Sequence, residues 1–339
     1  MSKTTEGRFE LGDFELQSGA VIPNAFLGYA THGTLNEARD NVIIYPTWYT
    51  GRHSDAEPYI GPNKALDPER YFIVVPDMFT NGLSSSPSNC APPLDGLNFP
   101  LVTPFDNVVA QYRLLSKHFG VTSVELAMGF SMSGQQAYHW GAVYPDTVKR
   151  ICSICGSAKT APHNLLYLNA YKTAMESTEG WNSGNWKTWS PKLIPVMSSI
   201  VTMMAWSQDW YREGLYRDSG ADTPEEFVTS AAAFFEPWVP ADLYAQTLTW
   251  MAADVSDNPL FNGDLDAALG AIKARALLLP CDTDMYFRVA DNEMELSKMP
   301  NAELKVIRSS WGHIAGLPGA SAEDDAFVDA TLKAFLSSE

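Results

Sequence analysis

The sequence predicts an α/β protein with a mostly parallel central sheet, helices on both faces and a helical cap inserted into the chain. The first observation is a series of short apolar runs, each separated from the next by a helical stretch. Strands that are apolar on both faces are typical of a parallel sheet covered by helices on both sides. The second observation is that this alternation stops between residues 160 and 272, where no strand pattern is evident.

The predicted elements follow this alternation along the chain. Residues 8–31 alternate apolar and polar side chains around Gly19, which predicts an antiparallel pair of strands. Six further strands are expected at residues 42–45, 71–75, 124–129, 150–155, 276–279 and 304–307. Helices are expected at residues 105–118, 135–144 and 322–336. These elements place the sheet core in residues 1–159 and 273–339 and the helical cap in residues 160–272.

The predicted cap is rich in tryptophan. It holds seven of the ten tryptophans of the chain, namely Trp181, Trp186, Trp189, Trp206, Trp210, Trp238 and Trp250. Large rings fill the packing seams of a helical unit, and they also form the walls of apolar binding sites. The cap therefore predicts a largely apolar or ring-bearing substrate, with seam packing as the alternative role of each ring.

Composition excludes several classes of function. The 339 residues carry a net charge of −17, which disfavours binding to nucleic acids and to anionic membrane surfaces. Four cysteines are too few for a disulfide framework, and the first eight residues lack the apolar stretch of a secretory signal. No metal-ligand cluster or phosphate-binding glycine loop is evident, so we expect no metal and no cofactor. These features predict a cytoplasmic enzyme acting on a small molecule.

A candidate nucleophile lies at the junction of a predicted strand and helix. Ser131 follows the strand at residues 124–129 and is surrounded by small residues in Gly129-Phe130-Ser131-Met132-Ser133-Gly134. A sharp turn here would lift the hydroxyl out of the sheet and aim the N-terminus of the next helix at a developing oxyanion. The alternative is a serine that caps a helix. The strand-turn-helix context favours the nucleophile.

A serine nucleophile needs a base and a carboxylate that orients the base. His313 follows the last predicted strand, and Asp284 follows the strand before it. Loops at these strand ends converge on one edge of an open α/β sheet. Asp282 is the rival carboxylate, and His53 is the other histidine near a candidate site loop.

The oxyanion requires two backbone N–H donors. Met132, directly after the nucleophile, would supply one. The loop after the strand at residues 42–45 would supply the other, from Tyr49, or from Trp48 if the register differs by one residue.

Cys152 and Cys155 lie three residues apart on a predicted strand. Strand positions three apart point to opposite faces, so we expect two free, buried thiols with a packing role.

These residues resemble those of the homoserine O-acetyltransferase-like branch of the α/β-hydrolase superfamily, and the similarity runs across most of the chain. The matching segments are 33–36 with 40–41, 47–51, 99–100, 106 and 111, 131–137, 140, 144–146, 283–284 and 312–313. The resemblance implies an α/β-hydrolase fold with Ser131, Asp284 and His313 as a catalytic triad. A homodimer is compatible with it, although no sequence feature marks an interface.

Two departures bear on the activity. The acetyltransferases carry a glycine-rich stretch where this chain has residues 80–88, and their elbow glycines are Phe130 and Ser133 here. Arg212 and Arg217 are the only arginines between residues 160 and 272, so the family's carboxylate-binding arginines have no clear counterpart. We therefore favour a hydrolase of an ester, thioester or activated amide. The alternatives are an O-acyltransferase that uses acyl-CoA and a non-catalytic binding protein on the same fold.

Overall fold

The structure, a computed structural model, describes residues 4–338 and contains one eight-stranded sheet in the order β1-β2-β4-β3-β5-β6-β7-β8. The strands are β1 Thr5–Glu15, β2 Val21–His32, β3 Val42–Ile44, β4 Phe72–Pro76, β5 Val124–Phe130, β6 Arg150–Ile154, β7 Arg275–Leu279 and β8 Ala302–Leu304. The pairs β1-β2 and β2-β4 are antiparallel, and the remaining neighbours are parallel. This confirms the predicted antiparallel opening and the parallel centre. Residues 1–3 and 339 of the predicted core lie outside the described residues.

Ten α-helices accompany the sheet within residues 4–338. They are α1 Pro104–Arg113, α2 Met132–Val143, α3 Pro162–Glu176, α4 Leu193–Ala205, α5 Gln208–Glu213, α6 Pro224–Ser230, α7 Pro240–Met251, α8 Leu265–Gly270, α9 Val289–Leu296 and α10 Ala322–Ser337. Residues 160–272 hold α3 to α8 and, over their whole described length, no strand. The helical content there matches the prediction, whereas the division into core and cap remains a prediction.

The sheet separates two apolar cores. Alternate residues of the central strands, such as Ile43 and Val42, point into different cores. One core contains side chains of α1, α2 and α8, and the other contains side chains of α3, α4, α7 and α10. All three residues of β3 are fully buried, as expected for a strand covered on both faces.

Helix α1 is shorter than the predicted helix 105–118. It begins with a capping box in which Thr103 and Asp106 satisfy each other's backbone N–H groups, and Pro104 occupies the first turn. The chain continues as a π-helical segment, Leu114–Phe119, and stops at Gly120, whose φ of +64° suits the left-handed residue that closes a helix.

The last strand ends earlier than predicted. Regular pairing stops at Leu304, although the backbone N–H groups of Lys305 and Ile307 still donate to Leu278 and Pro280. Pro280 accepts through its carbonyl but has no N–H to return, so the ladder becomes irregular there. The chain nevertheless runs on beside β7 and delivers residue 313 to the carboxyl edge of the sheet.

Within residues 4–338, no helix combines the length and apolar character that crossing a lipid bilayer requires.

A buried carboxyl anchors the segment that leads from β6 into α3. Glu295 on α9 accepts hydrogen bonds from the Tyr138 hydroxyl (2.5 Å), the Ala158 backbone N–H (2.8 Å) and the Asn292 amide (2.8 Å). Burial raises the pKa of Glu295 from its ordinary 4.5 to about 7, against the lowering effect of these three donors.

We expect Glu295 to make the stability of the protein depend on pH. Between about pH 4.5 and about pH 7 the folded state holds a proton that the unfolded chain has released, so the free energy of unfolding should fall as pH rises, by up to about 3 kcal/mol. Urea titrations at several pH values check this on Glu295→Gln, in which this part of the slope should disappear. Glu293→Gln, an exposed change on the same helix, is the control and should keep the wild-type slope. An unchanged slope in Glu295→Gln would contradict the assignment.

Candidate active site

Ser131 occupies the turn between β5 and α2 in a conformation that few non-glycine residues adopt. Its φ is 58° and its ψ is −126°, and its backbone N–H donates to the carbonyl of Ile154 at 2.9 Å. Such strain is typical of a nucleophile lifted out of a sheet. Gly129 permits the turn, because a Cβ at this position would lie 1.7 Å from the Ser133 hydroxyl oxygen. The close approach of α2 to the end of β5 thus requires glycine at residue 129.

The structure brings Ser131, His313 and Asp284 into one chain of hydrogen bonds. His313 Nε2 lies 3.0 Å from Ser131 Oγ, and His313 Nδ1 lies 2.8 Å from Asp284 Oδ2. All three residues are buried. These distances allow the ring to accept the serine proton at Nε2 while it donates through Nδ1 to the carboxylate.

The other oxygen of Asp284 is fixed by the backbone. Asp284 Oδ1 accepts the N–H groups of Tyr286 at 2.7 Å and Phe287 at 3.1 Å. The carboxylate therefore cannot rotate freely, and it presents Oδ2 to the imidazole. A carboxylate held in this way fixes both the orientation and the tautomer of the histidine.

The rival residues lie elsewhere. Asp282 accepts from the Arg308 guanidinium at 3.1 Å and from the Ser309 N–H at 3.2 Å. His53 pairs through Nδ1 with Asp77 at 2.7 Å, and this hydrogen bond raises the pKa of His53. Of the two carboxylates and two histidines considered from the sequence, the structure pairs Asp284 with His313.

The loop that carries the expected oxyanion donor lies against the nucleophile helix. Ser133 Oγ donates to the Pro46 carbonyl at 2.5 Å, and Gln136 Nε2 donates to the Thr47 carbonyl at 3.0 Å. Trp48 and Tyr49, the next two residues, line the same cavity as Ser131 and His313. Met132 begins α2, so its N–H is among those that a helix leaves without an internal acceptor. The roles of Tyr49 and Met132 as donors remain predictions.

An aromatic cavity of about 740 Å³ opens above Ser131. Its walls include Trp48 from the core and Tyr167, Trp206, Trp238 and Trp250 from the segment 160–272. Burial raises the pKa of Tyr167 to about 12, so this phenol stays neutral at physiological pH. Three of the seven tryptophans of the segment 160–272, namely Trp206, Trp238 and Trp250, therefore line this cavity.

Charged groups are sparse along this cavity. Arg212 and Arg217 lie elsewhere: Arg212 is largely exposed and faces Asp209 at 3.7 Å, while Arg217 packs over the Tyr216 ring. Among the described lysines and arginines, Arg52 alone lines the cavity, and its guanidinium stacks 4.9 Å from the Trp238 ring centroid. No sequence pattern indicated Arg52, which reaches the cavity from the loop that follows the expected oxyanion donors.

The two neighbouring cysteines are buried and free, as predicted. Cys155 also lies beside the triad, a proximity that its sequence position did not indicate. Its sulfur, a carboxylate oxygen of Asp284 and a ring nitrogen of His313 lie within 4.8 Å of one another. Three such atoms could hold a metal ion in other settings, but here the carboxylate and imidazole already bind each other. Burial raises the pKa of Cys155 well above its ordinary value, which disfavours the thiolate that metals prefer.

Comparison with known proteins agrees with this architecture. The model of the α/β hydrolase fold family matches residues 40–190. The chain is 36% identical to the ethyl acetate hydrolase of Pseudomonas veronii over an alignment of 344 positions, which covers 99% of this chain and 98% of that protein. It is similar to the solved structure of the acetyl esterase MekB, with a TM-score of 0.94 and 35% identity over 98% of this chain and 97% of that one. A homoserine O-acetyltransferase of Trichormus variabilis is 27% identical over 319 residues, or 90% of this chain and 87% of that protein.

These similarities confirm the resemblance predicted from the sequence. The chain belongs to the α/β-hydrolase family, in the branch that includes the homoserine O-acetyltransferases, and it is an enzyme.

Proposed function

We propose that the protein hydrolyses esters of short acyl groups, acetate esters foremost, through an acyl-enzyme on Ser131. The observation that carries this proposal is the hydrogen-bonded chain of Ser131, His313 and Asp284 at the base of an aromatic cavity. The similarity to an ethyl acetate hydrolase and to an acetyl esterase, each over nearly the whole chain, supports the choice of acetate.

In the first half-reaction, Ser131 Oγ attacks the ester carbonyl carbon while His313 Nε2 takes the hydroxyl proton. Backbone N–H groups of Tyr49 and Met132 stabilise the oxyanion, and Asp284 stabilises the positively charged imidazolium. The carbon–oxygen bond of the ester then breaks, and His313 returns the proton to the departing alcohol. The acyl group remains bonded to Ser131 Oγ.

In the second half-reaction, water attacks the acyl-enzyme. His313 Nε2 takes a proton from the water as the new carbon–oxygen bond forms. The tetrahedral intermediate collapses, the bond to Ser131 Oγ breaks, and His313 gives the proton to Oγ. The carboxylic acid leaves, and the enzyme regains its starting protonation state.

The walls around the histidine support a small acyl group. The ring centroids of Phe130 and Tyr286 lie 4.7 Å and 4.9 Å from that of His313. Both rings also line the cavity beside the reacting atoms, so they would contact the acyl group, whereas the cavity above them has room for a larger alcohol portion.

Few charged side chains line the cavity. This supports water or a neutral alcohol, rather than an amino acid, as the group that attacks the acyl-enzyme. A bidentate arginine fork is the usual means of holding a free carboxylate. Arg212 and Arg217, the arginines of the segment 160–272, do not line the cavity, and Arg52, which does, stacks on the Trp238 ring.

A substrate panel tests the proposal. We expect the purified protein to hydrolyse ethyl acetate and p-nitrophenyl acetate, with kcat/KM falling as the acyl chain of the p-nitrophenyl ester lengthens. Acetyl-CoA should be supplied in parallel, with and without homoserine, and free CoA measured. Homoserine-dependent release of CoA would replace hydrolysis by acyl transfer as the function. Failure of a fluorophosphonate to label the native protein would instead favour a non-catalytic binding role.

A further inference from the structure

Helix α7 presents a row of polar side chains to loops of the sheet core. Gln246 is the central one, and it is fully buried. Its Oε1 accepts the backbone N–H of Thr50 at 2.9 Å, and its Nε2 donates to the carbonyl of Thr80 at 3.2 Å. The orientation of the carboxamide is set by its partners, because an N–H needs an acceptor and a carbonyl needs a donor. One side chain thus joins the loop after β3 to the loop after β4.

Both ends of this bridge are strained. Thr50 has a φ of 62° and Thr80 a φ of 76°. The left-handed region is unfavourable for β-branched residues, so the surroundings of Thr50 and Thr80 must offset the strain. Gln246 supplies one hydrogen bond to each of these two residues. These hydrogen bonds therefore stabilise two loop conformations that are unfavourable on their own.

A second contact from the same helix holds the neighbouring residue. The Thr247 hydroxyl donates to the Leu243 carbonyl at 2.8 Å, so it accepts from the Tyr49 hydroxyl, 3.4 Å away. The Tyr49 ring also packs on Trp250 of α7, with 5.6 Å between ring centroids. Helix α7 therefore holds the loop at the Tyr49 side chain and at the Thr50 backbone, on both sides of the peptide bond that joins these residues.

We propose that Gln246 is a positioning residue that holds residues 48–50 so that a backbone N–H of this loop points at the oxyanion of the bound ester. The inference rests on the proposed function, in which this loop supplies one of the two donors. Deleting an oxyanion-hole donor in other enzymes costs about 10²–10³-fold in kcat. Gln246 orients a donor without supplying one, so its loss should cost less, about 10–100-fold.

Gln246→Met tests this role, because methionine keeps the length of the side chain and removes both hydrogen bonds. We expect kcat for p-nitrophenyl acetate to fall about 10–100-fold while KM stays within about threefold. The affinity for a boronic acid, which forms a tetrahedral adduct with the serine, should fall by a similar factor. Gln246→Glu keeps an acceptor for the Thr50 N–H, and we expect it to recover part of the loss.

Thr249→Val is the matched control on the same helix. It removes a buried hydrogen bond of 2.7 Å to the Val102 carbonyl, which does not involve residues 48–50. This variant should keep wild-type kcat and boronate affinity. The proposal is overturned if Gln246→Met keeps kcat within about threefold of Thr249→Val, if both variants lose activity equally, or if Gln246→Glu shows no recovery. If Gln246→Met does not fold, Gln246→Glu alone decides: a kcat clearly above the value expected for methionine supports the acceptor role, and a loss equal to that expected for methionine overturns it. A wild-type protein without esterase turnover would overturn the proposed function as well.

Discussion

Ser131→Ala should abolish ester hydrolysis while leaving the fold intact. The change removes the only atom that we propose to bond the acyl group, and losses of about 10⁴–10⁶-fold in kcat are typical for serine nucleophiles. Alanine should occupy the same backbone conformation as serine with similar strain, because both side chains are small and neither is branched at Cβ. We expect the rate with p-nitrophenyl acetate to approach that of the uncatalysed reaction, with the thermal midpoint close to wild type.

Ser153→Ala provides the comparison for this variant. Ser153 is a buried serine on the neighbouring strand β6, and its hydroxyl has no hydrogen-bond partner among the described residues. Its loss should leave kcat within about twofold of wild type. Turnover by Ser131→Ala at a level near that of Ser153→Ala would refute the nucleophile assignment.

Asp284→Asn should lower kcat by about 10⁴-fold, the size of loss that the same change causes in serine proteases. The backbone N–H groups of Tyr286 and Phe287 donate to Oδ1 and would hold the amide oxygen of asparagine at that position. The amide NH₂ would then replace Oδ2 and donate to His313 Nδ1. The proton of the neutral ring would move to Nε2, which could no longer accept the proton of Ser131. Steady-state kinetics with p-nitrophenyl acetate measure this loss.

Asp282→Asn distinguishes the carboxylate that orients the histidine from its neighbour. Asp282 faces Arg308 and Ser309 instead of His313, so its loss should change kcat by no more than a few fold. Equal losses in the two variants would mean that the loop as a whole, and not the Asp284–His313 contact, supports activity.

The convergence of residues 131, 284 and 313 was predictable because each follows a strand. A parallel sheet collects the carboxyl ends of its strands at one edge, so strand recognition alone places such residues together. The choice between Asp284 and Asp282 required the conformation of the loop, which strand recognition does not provide. The two differ only in which way the loop turns after Pro280, and that turn is fixed by the N–H groups of Tyr286 and Phe287.

Contacts between the segment 160–272 and the sheet core could not be predicted from local patterns. The bond from Thr50 to Gln246 spans 196 residues, and glutamine in a helix carries no signal for a distant partner. The same holds for Arg52, whose place in the cavity depends on Trp238. The loss of the strand pattern indicated that helices lie there, but it says nothing about which core loops they contact.

The attachment of α7 to the sheet core limits how this enzyme can be re-engineered. Chimeras that exchange the segment 160–272 for the corresponding segment of a relative would break the contacts of Asp242, Gln246 and Thr249 with two core connections, the loop after β3 and the chain between β4 and α1. Grafts that keep α7 and alter only α3 to α6 should retain turnover and acquire new specificity. Laboratory evolution of this scaffold should therefore accept changes in α4 and α6 more readily than changes on the inward face of α7.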